Sequence, residues 1–153
     1  KMDRSALLLI AFALMLASPQ SSWACSYDGQ FSNPFSESYP GSLDVAISTQ
    51  EAIRSQSIEQ PESLVGVNGL RRASWWLNVM VELYPQLLTG TYIYLVDSQL
   101  WSHHQTNNRL AIHVATPSSD SEILLISEAA LHNLVNESIT LNTALELGIA
   151  RRL

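Results

Sequence analysis

Three histidines are the residues whose type best suits metal chemistry. His103 and His104 are adjacent and His113 follows in the next predicted strand, so a hairpin would bring their side chains together. A neutral imidazole is a common metal ligand. No cysteine or carboxylate stands at metal-ligand spacing beside them, and histidines in a polar turn are usually solvated. The sequence therefore predicts no metal site and no cofactor.

A carboxyl group near the end of a predicted strand is the candidate for proton transfer. Asp97 is followed there by Ser98 and Gln99, and burial would make its carboxyl group active in proton transfer. Polar residues at the point where a strand leaves the core are the simpler interpretation. The sequence contains no Gly-x-Ser-x-Gly motif, P-loop or dinucleotide-binding glycine pattern. We therefore predict that the protein is not an enzyme.

Aromatic side chains concentrate in one predicted helix and one predicted strand. Core packing and the lining of a ligand pocket both fit this pattern, because ligand pockets are mostly apolar. The candidate ligand-binding residues are Trp76, Met80, Tyr92, Tyr94 and Trp101. Trp75 and Val79 fall beside the buried stripe of the same helix, so they are the candidate contacts to a partner protein.

The first 24 residues predict export. Residues 6–17 form an unbroken apolar run, and Ser22 and Ala24 are small enough for signal peptidase, so cleavage is expected after Ala24. A lipoprotein signal also ends before a cysteine, but Trp23 is bulky where such a signal has a small residue. We expect a periplasmic or secreted protein with no transmembrane anchor in the mature chain. Lipid anchoring through Cys25 is the alternative.

Charge and cysteine content argue against several classes of protein. Without residues 1–24 the chain retains six arginines, no lysine and thirteen acidic residues, a net charge of −7. No basic stripe exists to follow phosphates, which argues against nucleic-acid binding. The arginine pairs at 71–72 and 151–152 are interpreted as helix-flanking charges. Cys25 is the single cysteine, so its thiol is lipidated, free or joined to another chain.

The N-terminal half predicts an arm and two helices. Residues 25–42 show no periodicity and predict an extended arm before a single domain at 43–153. Residues 43–47 alternate like a short strand, and a capping box at 48–51 opens a helix that ends near Ile58. Residues 70–84 then carry the apolar stripe of an amphipathic helix.

The C-terminal half predicts a sheet and two short helices. Strands are expected at 91–101, 109–116 and 122–127, and the first is expected to be central because it is apolar on both faces. Helices follow at about 128–136 and 142–151, the second capped by Thr140 or Asn142. The predicted core centres on Leu77, Met80, Leu83, Tyr94, Leu95, Ile112, Leu124, Leu131 and Leu145.

This order of elements resembles the sterol carrier protein type 2 family of lipid-binding domains. The matching segments are residues 90–97, 122–135 and 139–148, in which a strand ends at Ser127 and a short helix ends at a glycine. In that family another strand follows the glycine, and we expect residues 43–47 to fill its place. The resemblance implies an apolar tunnel for a lipid or acyl chain between sheet and helices, without catalysis.

Together these patterns predict an α+β domain, an antiparallel sheet of three to four strands covered by helices on one side. The predicted function is non-enzymatic binding of an apolar or amphipathic small ligand or lipid. An accessory module that docks on a partner protein through the arm, Trp75 and Val79 is the alternative. An enclosed apolar cavity would favour the first function, and a filled core with an exposed apolar patch the second.

Overall fold

The computed structural model describes residues 39–153. The predicted signal peptide, Cys25 and the arm up to residue 38 lie outside the described residues. In chain order the elements are α1 (Ser42–Arg54), α2 (Gly66–Leu83), β1 (Tyr92–Leu95), β2 (Leu100–His104), a 3₁₀ turn (Thr106–Asn108), β3 (Leu110–Ile112), β4 (Ile123–Ile126), α3 (Glu128–Val135), α4 (Leu141–Glu146) and β5 (Ala150–Arg152). Between residues 39 and 153, no helix combines the length and apolarity needed to cross a bilayer.

Helix α1 occupies the place of the strand predicted at residues 43–47. Gly41 precedes it with a φ of 91°. Val45, Thr49 and Ala52 are buried, at the i, i+4, i+7 spacing of a helix. Residues 43–47 follow this helical stripe and not the alternating pattern of a strand, so the strand prediction is wrong. The predicted capping box at 48–51 lies inside the helix.

Helix α2 confirms the amphipathic stripe predicted for residues 70–84. It begins earlier, at Gly66, and ends at Leu83, because Pro85 disfavours the helical conformation at Tyr84. The buried residues of α2 are Gly69, Ala73, Trp76, Leu77, Met80 and Val81.

The described strands form one mixed sheet in the order β3-β2-β1-β4-β5. Strand β1 pairs antiparallel with β2 and parallel with β4, and β5 pairs antiparallel with β4. The strand predicted at 91–101 is a hairpin of β1 and β2, whose turn places Gln99 at a φ of 56°. The strand predicted at 109–116 shortens to β3, and the one at 122–127 is confirmed as β4. The α+β class is confirmed, and the sheet is one strand larger than expected.

Strand β1 is central, as predicted, and both of its faces are buried. Ile93 and Leu95 pack in the large core formed with α2, α3 and α4. Tyr94 belongs to a second cluster on the opposite face, which Val45 of α1 joins, whereas Ala52 of α1 joins the large core. Helix α1 therefore crosses the edge of the sheet, so the helices do not all lie on one side.

The two C-terminal helices have side-chain caps. The Ser127 hydroxyl accepts a hydrogen bond from the Ala130 amide at 3.1 Å, and the Thr140 hydroxyl accepts one from the Thr143 amide at 3.2 Å. Thr140 is thus the cap that the sequence offered for the last helix. Each cap satisfies an amide that has no partner within its own helix.

Strand β5 follows a glycine that ends the last helical segment. Gly148 has a φ of 73°, and a Cβ atom there would lie 2.9 Å from the Ser48 hydroxyl of α1. The chain then pairs with β4, so the fifth strand comes from residues 150–152 and not from residues 43–47. Arg151 and Arg152 lie in this strand, which corrects their interpretation as helix-flanking charges.

Most of the predicted core is buried. Among the nine predicted residues, the buried ones are Leu77, Met80, Tyr94, Leu95, Leu124 and Leu131. Ile112 and Leu145 are partly buried against the large core. Leu83 is 38% exposed, since it lies in the last turn of α2.

Candidate functional site

A partly open cavity of about 330 Å³ lies between α1, the connecting segment (residues 59–65), α2 and the start of α3. Its charged lining residues are Glu62, Arg72, Asp97 and Glu128. Its apolar lining residues are Ala46, Ile53, Pro61, Leu64 and Ala129. The lining therefore combines charged and apolar side chains, a combination suited to an amphipathic molecule.

The parallel pairing of β1 with β4 explains why charged residues meet at this place. Asp97 follows the end of β1, and Glu128 follows the end of β4 as the first residue of α3. The carboxyl ends of parallel strands lie side by side at one end of a sheet, where ligand crevices commonly form. Helix α1 crosses this end of the sheet and covers the crevice.

Asp97 is the most strongly perturbed titratable group of the cavity. One of its carboxylate oxygens, Oδ2, accepts a hydrogen bond from the Glu128 amide at 3.1 Å. Burial, followed by the nearby Glu128 carboxylate, raises the pKa of Asp97, backbone hydrogen bonds lower it, and the net result is a pKa of about 6. The simpler interpretation from sequence was a polar residue at the point where a strand leaves the core. The carboxyl group of Asp97 is instead buried, and its activity in proton transfer stays untested.

Arg72 contacts two side chains at the cavity, Glu128 and Trp76. Its Nη2 donates to Glu128 Oε1 at 3.1 Å, and its guanidinium lies 4.5 Å from the centre of the Trp76 ring. His132 contacts Trp76 in turn, with 5.0 Å between ring centroids. Arg72 is thus paired with Glu128 and packed on Trp76, while its buried Nε has no hydrogen-bond partner among the described residues.

The remaining polar lining is uncharged. Thr49 on α1 donates its hydroxyl to the Val45 carbonyl at 2.7 Å, within its own helix. Gln50, Gln60 and Ser63 complete the polar lining. Because the Thr49 proton is engaged by the backbone, this hydroxyl is not poised as a nucleophile.

The five predicted ligand-binding residues do not line this cavity. Trp76 and Met80 are buried in the large core, although Trp76 supports Arg72. Tyr92, Tyr94 and Trp101 lie on the opposite face of the sheet, where the Tyr94 and Trp101 rings are 4.5 Å apart. Their role in ligand binding stays a prediction.

The two predicted partner contacts differ in exposure. Trp75 is 62% exposed, whereas Val79 is partly buried. Val67, on the same helix, is 69% exposed. The role of Trp75 and Val79 as an interaction surface also stays a prediction.

The histidines have separate environments. His103 stacks on Tyr92 with 4.1 Å between ring centroids, and the Nδ1 atom of buried His104 lies 3.1 Å from the Leu88 carbonyl oxygen. His113 is exposed, with a φ of 62°. In the part of the chain that the structure describes, no three His, Cys, Asp or Glu side chains could together hold a metal ion.

Sequence reasoning missed Arg72, Glu128 and the connecting segment as parts of one site. Glu128 offered a weak signal, because an acidic residue directly after a Ser cap is typical of a helix start. Arg72 offered none, since it was read with Arg71 as a flanking charge and is instead partly buried within α2.

The chain was compared with protein-family models, curated proteins and solved structures. Neither the protein-family models, nor the curated proteins, nor the solved structures contain a match to this chain. The similarity to sterol carrier protein type 2 domains therefore stays a prediction from sequence.

Proposed function

We propose that this chain is an exported, non-enzymatic binding protein for a small amphipathic ligand, and that the ligand occupies the cavity beside Asp97. The observation that carries the proposal is the mixed charged and apolar lining of that cavity. Its volume of about 330 Å³ falls in the range of small-molecule sites, roughly 300–1,000 Å³. Export is proposed only from the signal peptide predicted for residues 1–24.

Binding without catalysis is favoured because the polar side chains of the cavity already form hydrogen bonds or ion pairs within the protein. Asp97 accepts an amide of α3, and Arg72 and Glu128 form an ion pair. The Thr49 hydroxyl donates its hydrogen bond to the Val45 carbonyl of the same helix. Among the described lining residues no hydroxyl or thiol is hydrogen-bonded to a general base, which covalent catalysis requires.

Native mass spectrometry of the full chain, purified from its native host, tests this function. A retained small molecule adds a defined mass to the protein. Ser63→Trp should abolish that added mass, because Ser63 is an exposed cavity residue and a bulky ring there would block the opening. Ser57→Trp is the matched control, since Ser57 is exposed nearby and does not line the cavity. Equal ligand retention by both variants would contradict the proposed site.

Docking to a partner protein is a second candidate function, favoured by the exposure of Trp75 on α2. Large aromatic side chains are frequent anchors of interfaces. The same purification would then yield a stoichiometric partner that Trp75→Ser loses and Val67→Ser retains. A protein that purifies alone, with or without Trp75, would exclude this function.

A further inference from the structure

We propose that the segment before Tyr39 lies across the second face of the sheet, with Phe35 packed against Trp101 and Val114. The second face is the one that carries Tyr94 and Trp101. It shares no residue with the lining of the cavity, so the ligand site and this docking surface are separate. The path of the chain into α1 and the side chains along that path support the proposal.

The chain that leads into α1 runs over this face from its middle strands towards β4. The Tyr39 ring lies 5.7 Å from that of Tyr94 on β1 and 5.0 Å from that of Trp101 on β2, measured between ring centroids. Two residues later Gly41 packs on β4, where an added Cβ atom would lie 3.1 Å from the Leu125 side chain. In the sheet order β3-β2-β1-β4-β5, the residues before Tyr39 are therefore directed towards β2 and β3.

On that side the second face carries aromatic and apolar side chains that are only partly buried. Tyr92 and His103 stack with 4.1 Å between ring centroids, and Val114 packs on the same cluster. The Val114 amide donates to the Trp101 carbonyl at 3.0 Å, which places Val114 beside β2. In the part of the chain that the structure describes, Val45 is the one helical residue of this cluster, so helices contribute little to its cover.

The residues before Tyr39 supply rings at a suitable spacing. Phe31 and Phe35 precede Tyr39 by eight and four residues. In the extended arm that the sequence predicts, even separations place side chains on the same side of the chain, so Phe35 shares the side on which Tyr39 meets the sheet. Four extended residues span about 13 Å, whereas neighbouring strands lie about 4.8 Å apart. Phe35 can therefore reach over β2 and β3, towards Trp101 and Val114.

The arm of the same chain is the occupant that the geometry favours. Packing the Phe35 ring against Trp101 and Val114 removes apolar surface of all three side chains from water, and aromatic pairs add a favourable contact. A second copy of the chain carries the same rings, but the protein's own arm is already tethered to this face at Tyr39. That tether gives it a high effective concentration at the face.

NMR of the isotope-labelled full chain tests this placement. We expect nuclear Overhauser cross-peaks between the Phe35 ring and the Val114 methyl groups. Phe35→Ser should remove these cross-peaks and speed hydrogen exchange of the Val114 amide about tenfold, because the cover of its hydrogen bond to Trp101 is lost. The methyl resonance of Met80, which is buried in α2, should keep its position and so show that the fold is intact.

A matched control moves the ring by one residue. The variant Phe35→Ser with Ser36→Phe keeps the composition of the arm but places the ring on the other side of an extended chain. Its Val114 amide should exchange as fast as in Phe35→Ser. Slow exchange in this control would show that any ring in the arm suffices, and it would contradict the specific placement of Phe35.

Three other results would overturn the inference. The first is an absence of cross-peaks between Phe35 and Val114 in the parent protein, which counts whether or not the variants fold. The second is a Phe35→Ser variant in which the Val114 amide exchanges at the parent rate. The third comes from a mixture of labelled and unlabelled chains, where cross-peaks between the two kinds of chain would assign the face to the arm of a second copy. The proposed function of the cavity stands in each case.

Discussion

Replacing Asp97 with asparagine is expected to stabilise the protein at neutral pH. The pKa of Asp97 rises from 3.8 to about 6 on folding, chiefly because the carboxyl group is buried. Protonation therefore favours the folded state, and this stabilisation is complete below about pH 3.8 and lost as the pH rises through about 6. At about 1.4 kcal/mol per pH unit, the cost of holding the ionised carboxylate is about 3 kcal/mol.

Asparagine is nearly isosteric with aspartate and its side-chain oxygen can still accept from the Glu128 amide. The free energy of unfolding of Asp97→Asn should thus match that of the parent near pH 4. The variant should then become more stable than the parent between pH 4 and 6, and stay about 3 kcal/mol more stable from pH 7 upward.

Urea denaturation followed by tryptophan fluorescence, repeated from pH 4 to 8, measures this difference. Asp44→Asn is the control, because the Asp44 side chain is 76% exposed and the variant keeps Asp97, so it should follow the pH response of the parent. A difference between Asp97→Asn and parent that stays below about 0.5 kcal/mol throughout, or a variant less stable at pH 7, would refute the argument.

Three further predictions concern the fold and metal. Leu77→Ala and Leu95→Ala remove fully buried side chains and should each lower the free energy of unfolding by about 2–5 kcal/mol; losses under about 1 kcal/mol at both would contradict the packing of helices on the sheet. Gly148→Ala places a side chain at a positive φ and against Ser48, so it should lower the free energy of unfolding by about 1–3 kcal/mol. Adding Ser48→Gly should recover part of that loss. Full recovery would show that the clash with Ser48, and not the positive φ, is the cause. The thermal midpoint should be equal with a chelator or added zinc, because the described residues hold no metal cluster; a zinc-dependent rise that disappears in a His103→Ala, His113→Ala double variant would prove this wrong.

Long periodic segments allowed most of the fold to be predicted. The stripe of α2 and the two-faced apolar character of β1 are strong signals, and both are confirmed. The run at residues 43–47 is too short to separate a strand from a helix, because Val45 also belongs to a helical stripe with Thr49 and Ala52. The turn between β1 and β2 carries no glycine, so residues 91–101 were predicted as one strand although the polar residues 97–99 interrupt it.

The candidate site was harder to predict, because it draws on separate segments of the chain. Thr49, Arg72, Asp97 and Glu128 meet only because β1 pairs parallel with β4 and α1 crosses that edge. No local pattern in the sequence encodes which distant strand will pair with β1. The burial of Asp97, and hence its raised pKa, follows from that pairing.

The two outer strands of the sheet limit how other chains can attach to this protein. Among residues 39–153 these are β3 and β5, each of three residues, and β5 carries the exposed Arg151 and Arg152. A sheet recruits an extended peptide, or grows into a fibril, through a long row of unpaired amides and carbonyls. Such short edges offer few of these groups, and Arg151 of β5 is already paired with Asp44 at 3.3 Å. Strand addition at β3 or β5 is therefore disfavoured.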